Sequence, residues 1–300
     1  MKLDPDIFYP RLNFALIDEK YTDFEKAKFV VVSATYEVSA TYRGGCKDGP
    51  PAIISASQYI ELYDDEINKE TFKAGIHTLP DVIPALGAAR DMVDRLYSVT
   101  KMLLKKKKVV CTLGGDHSVS IGVVKAYMEK YPGLSVLQFD AHSDTRDEYE
   151  GSKLSGATTM RRIHGMGVKI TQVGLRSLSK EDMLFAKKEN IKQYNASDLS
   201  NLANLSNLTD QILEGLGDKV YITFDVDFFD PSIMSATGTP EPGGPGWYDA
   251  LTILKKVAQE REIVGFDVVE LAPDLGPHAC TFTAAKLVYK IMGYILAGKN

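Results

Sequence analysis

The chain has 300 residues, 44% apolar and 25% charged, enough for one large globular core that needs no disulfide or metal to staple it. A net charge of −5 excludes the basic character of a nucleic-acid binder. Three scattered cysteines, Cys46, Cys111 and Cys280, have no Cys-x-x-Cys spacing, which excludes a disulfide framework and a zinc ribbon.

Residues 1–25 are mixed in character and read as a peripheral arm or short helix. Lys28–Val32 is an apolar, β-branched run suited to a strand buried on both faces. A Gly-rich loop (Arg43–Pro51) follows, its prolines suited to opening a helix over Ala52–Tyr59. Leu86–Lys106 has helical spacing, and Lys105–Lys108 read as charge at the helix end. Strands are then expected at Val109–Leu113, Leu134–Phe139, Ile170–Leu175, Ile191–Tyr194, Val220–Phe224 and Glu262–Leu271. Between and after them, helices are expected at Val119–Lys130, Lys153–His164, Lys180–Glu189, Leu208–Leu216, Trp247–Gln259 and Cys280–Leu296. Such alternation means βαβ units: a three-layer α/β/α fold on a parallel sheet. Without a repeat or linker, residues 1–300 form a single domain. The first residues carry no signal-peptide pattern and no apolar run nears the ~18 residues of a membrane helix, so a soluble, cytoplasmic protein is expected.

In parallel sheets functional groups gather beyond the carboxyl ends of the strands. Four strand ends here carry unusual polar residues: Gly114-Gly115-Asp116-His117-Ser118, Asp140-Ala141-His142-Ser143-Asp144, Asp225-Val226-Asp227 and Glu270. Extended geometry past Phe139 would put Asp140, His142 and Asp144 on one face, and the same alternation would pair Asp225 with Asp227. Taken singly, each motif could be a turn or a cap, and the first lacks the Lys-Ser/Thr pair of a phosphate loop. Together they are acids and imidazoles that would be costly to bury without a cation. His117, His142, Asp140, Asp144, Asp225 and Asp227 exceed the three protein ligands of one catalytic zinc. They suit two metal ions sharing bridging carboxylates, and oxygen-rich ligation without cysteine favours Mn²⁺. Two metals roughly 3.5–4 Å apart can hold a bridging hydroxide at neutral pH.

In order, and over nearly the whole chain, these motifs resemble those of the ureohydrolases, the arginase and agmatinase family. Thr237-Gly238-Thr239-Pro240-Glu241-Pro242-Gly243-Gly244 resembles the family's signature loop in its agmatinase form. The resemblance implies an eight-stranded parallel sheet, a trimer or hexamer, and two Mn²⁺ per subunit. One metal would be bound by His117, Asp140, Asp144 and Asp225, the other by Asp140, His142, Asp225 and Asp227. It also implies that Asp144 positions the attacking hydroxide and that Glu270 pairs with a substrate guanidinium. Thr239, Glu241 and His278 are further candidate substrate contacts. The implied activity is hydrolysis of a guanidino compound to urea and an amine. The signature loop favours agmatine, giving putrescine in polyamine biosynthesis, over arginine or guanidinobutyrate. The acidic stretch Arg146–Gly151 would suit a cationic tail.

One position departs from the pattern. Gly156 stands where the family carries a histidine taken as proton shuttle or substrate contact. The alternative reading is therefore a slow or non-catalytic metal-binding relative. His164 reads as an ordinary helix residue, and His77 carries no functional signal. A single-zinc deacetylase is disfavoured because its adjacent His-His pair is absent.

Overall fold

The computed structural model describes residues 12–199 and 202–298. Its frame is an eight-stranded sheet of β1 (Phe29–Ala34), β4 (Ile76–Thr78), β5 (Val109–Gly114), β6 (Ser135–Phe139), β7 (Lys169–Leu175), β8 (Lys192–Asn195), β9 (Lys219–Asp225) and β10 (Glu262–Val269). All pairings in it are parallel, in the order β4-β1-β5-β10-β9-β6-β7-β8. β2 (Tyr63–Asp64) and β3 (Lys69–Glu70) form a small separate hairpin.

Successive residues of a strand serve opposite faces, and both faces here are covered. Phe29, Val31, Leu113, Phe224 and Phe266 share one core with Ile53 of α1 (Gly49–Ser57), Leu254 of α8 (Trp247–Glu260) and Leu287 of α9 (His278–Ala297). Val30, Val32, Val110, Val136 and Tyr221 share the other with Leu96 of α2 (Ala89–Lys105), Val123 of α3 (Val119–Lys130) and Met160 of α4 (Thr159–Gly165). Double-sided burial is why the strands read as unbroken apolar runs rather than as alternating patterns. At Gly265, where β10 is irregular, a Cβ would stand 1.9 Å from the Tyr127 hydroxyl, so only glycine lets that ring lie against the strand.

Most elements fall where expected, with instructive exceptions. Residues 1–11 of the expected arm lie outside the described residues. Within residues 12–25 two short 3-10 helices form; Phe14 is buried, with its N–H donating to Thr78 Oγ1 on β4, while residues 18–20 are exposed. The helix expected from Lys153 begins only at Thr159. Before it, Ser155 and Thr158 exchange backbone and hydroxyl hydrogen bonds around a single 3-10 turn, Gly156–Thr158. The helix expected from Leu208 is α7 (Leu202–Glu214), which starts earlier, preceded by the short α6 (Ala196–Leu199). The last strand ends at Val269 rather than Leu271, because Glu270 takes a left-handed φ of +65°.

The strand order positions the site. β5, β10, β9 and β6 are consecutive at the middle of the sheet, with Leu113 paired to Val268, Val269 to Asp225, and Phe139 to Phe224. Segments far apart in sequence, from Gly114 to Val269, thus end side by side, and each delivers its polar residues to one rim.

Candidate metal centre

The backbone brings the acids together by turning, not by staying extended. Asp140 leaves β6 with its N–H bonded to the Val173 carbonyl, and its Oδ1 accepts the His142 N–H at 2.6 Å. Asp144 has a left-handed φ of +54°, which brings its carboxylate back beside His117. The expectation of one continuous strand face through Asp144 is therefore corrected. Asp225 and Asp227 likewise do not share a strand face: β9 ends at Asp225, and Val226–Phe228 is a 3-10 turn. Asp225 Oδ1 accepts the Asp227 N–H at 2.9 Å, and Asp227 Oδ1 accepts the Ala141 N–H at 3.0 Å.

Two ligand groups result, His117–Asp140–Asp144 and Asp140–His142–Asp227, with Asp140 common to both. His117 Nδ1 lies 2.9 Å from Asp144 Oδ2, 3.2 Å from Asp140 Oδ2 and 3.6 Å from Asp225 Oδ2. His142 Nδ1 lies 2.9 Å from Asp227 Oδ2 and 3.6 Å from Asp140 Oδ1. Asp140 therefore turns one oxygen to each imidazole, and Asp225 stands where it can reach the first group.

The hydrogen-bond network fixes what His117 can do. Thr223 Oγ1 donates its only proton to Asp267 Oδ1 at 2.7 Å, so at 2.8 Å from His117 Nε2 it must accept that ring's proton. With that proton on Nε2, a neutral ring would present its Nδ1 lone pair to three carboxylates. That atom is buried and has no hydrogen-bond partner. A buried lone pair facing carboxylate oxygens calls for a cation between them, so the residues fit a metal.

Without a cation, the titration of the cluster shows the acids and imidazoles holding protons to offset their own charge. Burial, then the charge of Asp140, pushes Asp144 up to about 6. Burial, then Asp227 and Asp140, pushes Asp225 well above the usual carboxylate range. Burial works against the charged form of Asp140, yet His117 and His142 hold it low. Burial also opposes both imidazolium ions, but Asp140 and Asp144 hold His117, and Asp227 and Asp140 hold His142, well above the ordinary histidine value. Negative charge in this site is in excess, and cations are what relieve it.

Beside the cluster lies a cavity of about 320 Å³, lined by His142, Asp144, Asp225, Asp227, Thr239, Glu241 and Glu270, among others. Glu270 is fixed by its left-handed backbone and by the His117 N–H, which donates to Oε1 at 2.7 Å. Burial, then Asp116, pushes its pKa up to about 8. Glu241 Oε1 lies 3.7 Å from His142 Nε2. His278, the first residue of α9, is exposed and stands outside this lining. The stretch from Arg146 to Gly151 also differs from expectation. Arg146 and Tyr149 line the cavity, whereas Glu148 and Glu150 point to solvent. The other carboxylates that line the cavity are Asp182, whose oxygens accept from Thr145 and Ser179, and Glu241 and Glu270, both beside the imidazole cluster.

Several supporting residues were missed in the sequence. Gln138 Nε2 donates to Asp140 Oδ2 at 2.6 Å. Asp116 is not part of the cluster: its Oδ2 accepts the N–H groups of Val38 and Ser39 and so holds that loop over the cavity. The half-buried Arg176 donates to the carbonyls of Asp227, Phe228, Phe229 and Glu241, tying the third motif to the signature loop. The one available signal was a charged residue inside an apolar strand: Asp267 is that case, paired in register with Thr223.

Comparison with known proteins agrees with this geometry. The model of the Arginase family matches residues 27–293. The chain is 35% identical over 286 residues to the N(1)-aminopropylagmatine ureohydrolase of Synechocystis sp., covering 93% of this chain and 92% of that protein. It is 32% identical over 277 residues to the agmatinase of Pyrococcus horikoshii, covering 90% and 93%. Among solved structures, the agmatine ureohydrolase of Thermoplasma volcanium is similar with a TM-score of 0.87 at 26% identity, over 97% of this chain and 96% of that one.

Proposed function

The chain belongs to the arginase family and is a hydrolase of guanidino C–N bonds, and from that premise we propose that it converts agmatine to putrescine and urea. The observation that carries the reading is the orphaned His117 Nδ1 aimed at Asp140, Asp144 and Asp225, with Asp140 shared by a second group. In this reading His117, Asp140, Asp144 and Asp225 would hold one Mn²⁺, and Asp140, His142, Asp225 and Asp227 a second. Ions bound there would supply a hydroxide nucleophile at neutral pH.

The chain's own residues do the rest. A guanidinium is a resonance-stabilised cation and a poor electrophile, so position matters more than activation. Glu270, held by the His117 N–H, pairs with the guanidinium through charge-assisted hydrogen bonds. Asp144 orients the attacking oxygen toward the central carbon. Thr239 and Glu241 contact the substrate, and Glu241 gives a cationic tail its counter-charge. The leaving amine must be protonated. Gly156 offers no side chain for this, and general acid–base help is worth roughly 10²–10⁴ in rate. That glycine supports the second reading, a metal-binding relative with slow or no turnover.

We also place the protein in polyamine biosynthesis in the cytoplasm, as a homo-oligomer of three or six copies. Among the described residues no helix is long and apolar enough to cross a membrane. Aminopropylagmatine, in the name of a relative 35% identical, has a longer cationic tail and is the next candidate substrate. The deciding assay is urea release by the Mn²⁺-loaded protein from agmatine, aminopropylagmatine, arginine and guanidinobutyrate. Agmatine should lead; no urea from any of them refutes hydrolysis.

A further inference from the structure

A polar row crosses the sheet one layer beneath the ligands: Thr112, Asp267, Thr223, Gln138, Gln172 and Gln193 are in register on β5, β10, β9, β6, β7 and β8. All but Gln193, on the edge strand, are buried. A sheet covered on both faces favours apolar residues there, and a buried amide is costly unless its polar atoms find partners. The three amides have one possible orientation. Gln172 Nε2 lies 2.7 Å from the Ser143 carbonyl and Gln138 Nε2 3.3 Å from the His142 carbonyl, and a carbonyl only accepts. Gln172 therefore donates from the same Nε2 to Gln138 Oε1, while its Oε1 accepts from Gln193 at 2.8 Å. Gln138 in turn donates to Asp140 Oδ2 at 2.6 Å. All three donate in one direction, from the sheet edge toward Asp140, and hydrogen bonds so aligned strengthen one another. Oδ2 is the Asp140 oxygen 3.2 Å from His117 Nδ1, whereas Oδ1 is held by the His142 N–H. None of the three glutamines lines the cavity.

We propose that Gln138, Gln172 and Gln193 form a relay of positioning residues that keeps one Asp140 oxygen turned to each ligand group, so that metal affinity depends on side chains as far away as the edge strand. The inference rests on the two-metal reading of the cluster and not on which guanidino compound is cleaved. Gln138 holds Oδ2 toward His117 while the His142 N–H holds Oδ1, which is the orientation a shared carboxylate needs. Gln172 acts one step back. Without it the buried Oε1 of Gln138 has no donor, and an amide that swings to find one takes its Nε2 away from Asp140. Gln193 holds Gln172 in the same way, at Oε1.

The test is calorimetric titration of the metal-free protein with Mn²⁺ in wild type, Gln138→Leu, Gln172→Leu and the double variant, with the melting temperature of each metal-free protein measured alongside. Gln138→Leu should weaken Mn²⁺ binding by about 10–100-fold. Gln172→Leu should weaken it by about tenfold although Gln172 touches no ligand. The double variant should bind no worse than Gln138→Leu alone, because the second loss acts only through the first. A purely structural role would lower the melting temperatures and leave affinity unchanged. Should a buried variant fail to fold, Gln193→Leu at the half-buried edge decides, with a loss of about twofold or more expected. Unchanged affinity in Gln172→Leu, or in Gln193→Leu where it decides, overturns the relay. So does a double variant whose losses multiply, which would assign the effect of Gln172 to its bond with the Ser143 carbonyl. Wild type that binds no Mn²⁺ refutes the metal reading, and the relay with it.

Discussion

Thr223 makes no contact with a carboxylate of the cluster, yet replacing it should weaken metal binding. Its hydroxyl accepts from His117 Nε2 at 2.8 Å and donates to Asp267 at 2.7 Å, at a depth where no water replaces it. Thr223→Val keeps the shape and removes both hydrogen bonds. The buried Nε2–H is then unsatisfied, at a cost of about 1–3 kcal/mol, and the ring loses the device that keeps its Nδ1 lone pair free. That cost corresponds to about 5–150-fold in affinity, which spans the roughly 10–100-fold found when such supporting groups around metal ligands are removed. Asp267 keeps the Tyr221 hydroxyl at 2.7 Å, so the core should survive. Calorimetric Mn²⁺ titration should show a weaker first site in Thr223→Val and near-normal binding in Thr223→Ser, with melting temperatures of the metal-free proteins within a few degrees. Unchanged affinity in Thr223→Val would refute the assigned tautomer and with it the lone-pair argument.

Other outcomes are equally definite. Chelation should lower the melting temperature and Mn²⁺ should restore it, since free metal at about 100 times its dissociation constant adds about 2.7 kcal/mol; insensitivity of melting to metal would count against the site. Away from the cavity, Lys290 is buried between Asp64 and Glu66 and ties α9 to the β2–β3 hairpin. Lys290→Met strands Asp64 and should cost about 3–5 kcal/mol in urea unfolding. Burial opposes the Glu66 carboxylate, but Lys290, Tyr294 and Lys255 hold it down to about 2. Because its folded pKa is depressed, its stabilisation is complete above the ordinary 4.5 and disappears as pH falls toward about 2; a flat acid limb in a pH series of unfolding would contradict this. Gly156→His should raise kcat toward agmatine if proton delivery limits turnover, by no more than roughly 10²–10⁴. An unchanged kcat would show that another group or water protonates the amine.

The sheet was readable because each central strand is buried on both faces, so Val30–Val32 and Val220–Phe224 stand out as apolar runs. The edge strand β4 has only three residues, and nothing in Ile76–Thr78 distinguishes them from loop. The metal-ligand candidates were readable as acids and imidazoles placed straight after such runs. How they converge was not: the left-handed turns at Asp144 and Glu270 leave no mark in non-glycine residues. Thr223, Ser39 and Gln138 are ordinary residue types whose importance comes only from partners distant in sequence. In the stretch after Asp144 the acids are in the sequence, but local spacing could not say that Arg146 and Tyr149, and not Glu148 or Glu150, face the cavity.

The most direct measurement is a titration of metal-free protein with Mn²⁺, with metal bound per chain and urea released from agmatine followed together. Two equivalents should bind, urea formation should follow the second, and Asp140→Ala should lose both because its carboxylate serves both groups. Binding of a single equivalent, or full binding that survives loss of Asp140, would contradict a two-metal centre bridged by that residue.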